Sequence, residues 1–70
     1  MKTEIKSPDQ MREFIEAERT AQGMTFRALA TQSGFAHAGY WFWVKKKGRV
    51  TLDNALAACA TLGIRVELTK

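Results

Sequence analysis

The sequence predicts a small, mainly α domain of four helices, closed by a C-terminal β-strand over 64–69 and with a candidate N-terminal strand over 1–6. Three observations lead there. Apolar residues recur at helical spacing in four windows. Ser7, Thr25 and Thr51 stand where helix caps belong, and Gly23, Gly34 and Gly63 where helices stop. The closing IRVELTK alternates apolar with polar residues. Seventy residues hold one domain at most, with a small core, so help from a partner chain is plausible.

Each element has a local cause. MKTEIK sets Met1, Thr3 and Ile5 against Lys2, Glu4 and Lys6, the period of a strand. In SPDQ, Ser7 can cap, Pro8 suits the first helical position, and Gln10 can reach back to complete a capping box. The first helix is expected over 8–22, with Met11, Phe14, Ile15 and Ala21 inward and Arg12, Glu13, Glu16 and Arg19 outward. The second spans 26–33, capped by Thr25, with Phe26, Leu29 and Ala30 inward, and Gly34 supplies the left-handed turn that follows.

The third helix is expected over 37–46, and its YWFWV run points large side chains around the whole circumference. They cannot all face one core. At about 100° per residue, Tyr40, Trp43 and Val44 share an inward stripe with Phe35, leaving Trp41 and Phe42 facing elsewhere. The fourth helix, 52–62, carries Leu52, Ala55, Leu56, Cys59 and Leu62 as its expected buried stripe, Cys59 serving as a small core residue. In the tail, Ile64, Val66 and Leu68 oppose Arg65, Glu67 and Thr69. A lone strand leaves its ladder unsatisfied. It is expected to pair either with MKTEIK or, in a two-fold antiparallel arrangement, with the same strand of a second copy, which makes Ile64, Val66 and Leu68 the dimerisation residues. The alternative is a frayed tail.

Composition removes several function classes. A 46% hydrophobic and 26% charged chain without low-complexity runs is ordinary for a soluble domain. No window approaches the roughly 18 apolar residues of a membrane span, so the expected location is the cytoplasm. With Cys59 the only cysteine and His37 the only histidine, neither an internal disulfide nor a zinc site is expected, and no cofactor is implied. Ser7 and Ser33 have no recognisable base, so catalytic residues are not expected and the chain reads as a non-enzyme. The net charge of +4 has one address: Lys45, Lys46, Lys47 and Arg49 supply the whole excess. Such a cluster is either a solvated loop or the footprint of a phosphate binder.

The segment from Phe26 to Trp43 resembles the helix-turn-helix of the Cro/repressor type, the XRE family. Ala30 stands at the family's small residue, where its helices cross, Gly34 at the turn, Phe35 at the apolar turn residue, and Tyr40 and Trp43 at the apolar positions of the recognition helix. The spacing fits without insertion from about Gln10 to Ile64. Departures stand beside it. Phe26 replaces a common Gln, Val44 a common Glu, and Ala36, His37, Ala38 and Gly39 replace the usual Gln, Ser, Thr and Asn of base readout.

The resemblance implies a repressor-like domain that reads double-stranded DNA with its third helix. It would place His37, Ala38, Trp41 and Phe42 toward base edges, with Arg27, Lys45, Lys46, Lys47 and Arg49 on phosphates. His37 can donate to guanine or phosphate and Ala38 can meet a thymine methyl, while Trp41 can pack on sugar and methyls, stack on unpaired bases, dock a protein or join the core. The function so implied is that of a phage or bacterial repressor, binding a palindromic operator as a homodimer. Two alternatives accompany it: an antitoxin that also binds DNA and has a toxin partner, and a protein-binding module or inhibitor on the same scaffold.

Overall fold

Caps and turns set the helix boundaries before any long-range contact does. The computed structural model describes residues 3–45 and 49–68. They form α1 (Pro8–Ala21), α2 (Phe26–Ser33), α3 (His37–Val44) and α4 (Leu52–Thr61). Ser7 accepts from the Gln10 N–H at 3.1 Å, Thr25 from Ala28 at 3.0 Å and Thr51 from Asn54 at 3.1 Å. These are side-chain caps for three of the four N-termini. Gln10 does reach back, but to the Lys6 N–H at 2.5 Å, one residue before the cap. The fourth N-terminus, at Ala36, has no side-chain cap because alanine offers no acceptor.

Gly34 closes α2 at φ +83°, and both its N–H and that of Phe35 donate to the Ala30 carbonyl. A side chain would meet nothing within 4 Å there, so glycine is required by the backbone conformation and not by space. The sharp turn delivers the chain directly into α3.

The core lies between the helices and is small. Ile15, Leu29, Tyr40, Trp43, Ala58, Cys59 and Leu62 form it, with Met11, Phe26, Phe35, Val44 and Ile64 packed around. Ala30, 1% exposed, keeps the α2 backbone close to its neighbours. Two polar contacts tie α4 in: Ser33 and Thr61 hydroxyls meet at 2.7 Å, and Gln22 Nε2 donates to the Leu62 carbonyl at 2.8 Å. Both lie at helix ends, and the second satisfies a carbonyl that the end of α4 leaves unpaired within the helix.

Several expectations change on folding. Arg12, expected outward, is 6% exposed, with its guanidinium bound to the exposed Asp9 at 2.8 Å. A long stem can be covered while its charged head stays paired. Leu52 and Leu56, expected in the buried stripe of α4, are 69% and 39% exposed, because Ala55, Ala58, Cys59 and Leu62 make the inward face. Leu52 instead flanks a groove of ≈ 330 Å³ with Ile5, Met11, Trp43 and Val50.

The strands expected at the termini are absent among the described residues. Neither 3–6 nor 64–68 is in a strand, and the two segments form no ladder with each other. A strand needs a hydrogen-bonded neighbour, and the described residues supply none. Ile64 is used differently: Gly63 donates to Ala60 and Ile64 to Cys59, so Ile64 folds back over the end of α4 onto the core. Val66 and Leu68 remain 48% and 100% exposed. Residues 1–2 and 69–70 of the expected strands lie outside the described residues. No described helix is long and apolar enough to cross a membrane.

Candidate nucleic-acid interface

The site begins with how α3 is anchored, since a recognition surface is only as defined as its support. Phe35 stacks on Tyr40 with centroids 5.7 Å apart, and Trp43 meets Tyr40 edge-on at 5.8 Å. The Tyr40 ring is 2% exposed, so its hydroxyl needs a partner inside. It donates to Glu16 Oε2 at 2.5 Å. Glu16 also accepts a two-point contact from Arg19, Nε at 2.7 Å and Nη2 at 3.1 Å.

Arg19 completes the support. Its Nη1 donates to the Met24 carbonyl at 2.5 Å, and its guanidinium lies 4.2 Å from the centroid of Phe26. Phe26 in turn sits 5.8 Å from Tyr40 and 6.5 Å from His37. One cluster therefore joins α1, the start of α2 and the middle of α3. Glu16 and Arg19, expected to face solvent, have side chains only 21% and 16% exposed. Burial, then the hydrogen bond to Glu16, pushes the Tyr40 phenol well above its ordinary pKa. The hydrogen bond to Glu16 likewise raises that of Arg19, against the opposing effect of desolvation.

This cluster is what sequence reading misses, though the i, i+3 spacing of Glu16 and Arg19 is a signal for their pairing. It also explains Phe26. An aromatic at that position packs between a guanidinium and two rings.

On the opposite side, α3 presents Ala38 and Gly39, both exposed, and Phe42, 47% exposed. Trp41 is half-buried, its ring edge-on to Phe42 at 5.2 Å, with Lys45 Nζ 6.0 Å from its centroid. His37 is half-buried beside Phe26. Arg27 is exposed in the first turn of α2, and Lys45 and Arg49 are exposed on either side of the loop before α4. Ala38, Trp41, Phe42 and Lys45 thus share one outward face, whereas His37 leans toward α2. Lys46 and Lys47, expected to contact phosphate, lie outside the described residues.

Charge is segregated along the chain. From Arg19 through Leu52 there is no Asp or Glu, while Arg19, Arg27, Lys45, Lys46, Lys47 and Arg49 all fall inside. Arg19 is bound by Glu16. Among the described residues, Arg27, Lys45 and Arg49 form no salt bridge. Nothing on α2, α3 or the loop offsets their field.

Other chemistry is sparse. Among the described residues no three His, Cys, Asp or Glu side chains are grouped to hold a metal. Cys59 is buried, and burial raises its thiol pKa, which keeps it protonated and unreactive. No family model matches the chain, and no curated protein matches it.

Proposed function

We propose that the chain is a sequence-specific double-stranded DNA-binding regulator of helix-turn-helix type, a phage or bacterial repressor acting as a homodimer on a palindromic operator. One observation carries the reading: an acid-free α2–α3 pair turns one face of α3 outward, and the segment carries the exposed cations Arg27 on α2 and Lys45 and Arg49 after α3, none of them in a salt bridge among the described residues. Such a face meets a polyanion without repulsion, and an α-helix fits the major groove. The sharp turn at Gly34 and the small Ala30 agree with the resemblance to Cro-type repressors. Phosphate contacts from the loop would orient the domain, and residues 37–42 would select the site.

The homodimer belongs to the same proposal. Val66 and Leu68 are apolar, exposed and unpaired in strand structure, so a second tail would supply the missing ladder. The expected solution state is a dimer by light scattering, reduced to monomer by deleting residues 64–70. The DNA reading is tested by a mobility shift on DNA upstream of the chain's own gene. Binding that weakens steeply with salt is expected; no binding at low salt rejects the reading.

A second reading has its own observation. Leu52 and Phe42 are large apolar side chains left 69% and 47% exposed, as on a surface that docks a protein. An antitoxin or protein-binding module would use them, and a stably co-purifying protein lost on substitution of Leu52 would favour it.

A further inference from the structure

We propose that α3 discriminates duplexes by the C5-methyl groups of the major groove, covered by the ridge of Ala38, Trp41 and Phe42, and not by hydrogen bonds to base edges. The inference rests on the reading of α3 as the groove element and names what that element recognises.

The outward face has almost no vocabulary for polar readout. Bidentate pairing to adenine needs Asn or Gln, pairing to guanine needs Arg or Lys, and accepting from cytosine needs Asp or Glu. Between His37 and Val44 the helix holds none of these. Lys45, just past its end, has its ammonium over the Trp41 ring. His37 is half-buried and leans on Phe26, the Tyr40 hydroxyl is committed to Glu16, and the Trp41 indole N–H offers a single donor, so no side chain of the helix can make a bidentate pair with a base. The face is instead apolar. Phe42 is 47% exposed, Trp41 abuts it edge-on at 5.2 Å, and Ala38 lies one turn below Phe42 on the same side.

An apolar ridge that ends at Lys45, on a domain whose α2–α3 segment carries exposed cations and no acid, calls for a partner that is anionic and yet carries apolar groups at the point of contact. A duplex satisfies both, with phosphates at the rim and the C5-methyl as the apolar feature of the groove floor. Thymine carries that methyl, as does 5-methylcytosine. A plain polyanion would leave the ridge uncovered, and a neutral apolar partner would leave Arg27, Lys45 and Arg49 unanswered.

The experiment uses the full chain and four alternating duplexes, dA/dT against dA/dU and dG/dC against dG/5-methyl-dC, with affinity read by fluorescence anisotropy at one salt concentration. The methylated member of each pair should bind more tightly, by about fourfold per methyl covered. F42A should keep its helical circular dichroism and lose the methyl preference, binding the two members of each pair equally whatever its absolute affinity. Equal wild-type affinity within both pairs overturns the inference and leaves the DNA reading standing. A preference that survives F42A also overturns it, since the methyl would then act through duplex shape. Failure to bind all four duplexes at low salt overturns the regulator reading and this inference together.

Discussion

The charges of α1 and those of the α2–α3 half are used in opposite ways. On α1, Arg12 and Arg19 each meet a carboxylate three residues earlier, Asp9 at 2.8 Å and Glu16 at 2.7 Å, and both side chains are largely covered. On the other half, Arg27, Lys45 and Arg49 are exposed and have no such partner. Paired and covered charges act on stability; unpaired, exposed ones cost little to keep and project a field. The same division runs through α3 itself, where Tyr40 is locked into the core and Phe42, two residues on, faces out.

The largest test of that contrast compares two aromatics on one helix. Tyr40→Ala should lose about 3–5 kcal/mol of stability, enough to unfold a domain of this size, while Phe42→Ala should stay within about 0.5 kcal/mol. Urea melts of the two variants check this, and comparable losses would erase the distinction between the faces. The arginines give a smaller version. Arg19→Met should cost about 1.5–3 kcal/mol by removing the charge partner of Glu16 and the donor to the Met24 carbonyl, whereas Arg27→Met should be nearly neutral.

A pH test isolates the Tyr40 hydroxyl. Its pKa is raised in the folded state, so its contribution is fully present below the ordinary tyrosine value of about 10 and declines as pH rises from there toward the folded value. In that window the native state holds a proton that the unfolded chain releases. Melting temperatures between about pH 9 and 11 should fall in the wild type. Tyr40→Phe should start lower, by about 1.5–3 kcal/mol at neutral pH, and show a shallower decline. The smallest effect on stability is expected where the effect on binding is clearest. Arg27→Ala and Arg49→Ala should leave the melting temperature nearly unchanged, and each should reduce the salt slope of DNA binding by about one.

Four helices and their caps are legible in the chain because their causes are local. Ser7, Thr25 and Thr51 reach amides three residues away, and Gly34 takes up a conformation that its missing side chain permits. The basic cluster and the outward turn of Phe42 are legible for the same reason, since composition and helical period need no partner element. The periodic expectation for α4 fails at Leu52 and Leu56. A ten-residue helix can satisfy its spacing with more than one stripe, and only its packing against α2 and the rest of the core selects Ala55, Ala58, Cys59 and Leu62. Glu16 and Arg19 look like a solvated pair until Tyr40 and Phe26 arrive from elements 24 and 7 residues further along. The tail likewise alternates as a strand does, but pairing is a property of two segments. Periodicity and capping are decided within a few residues of chain; which charged and apolar faces are covered depends on neighbours the chain brings together only by folding.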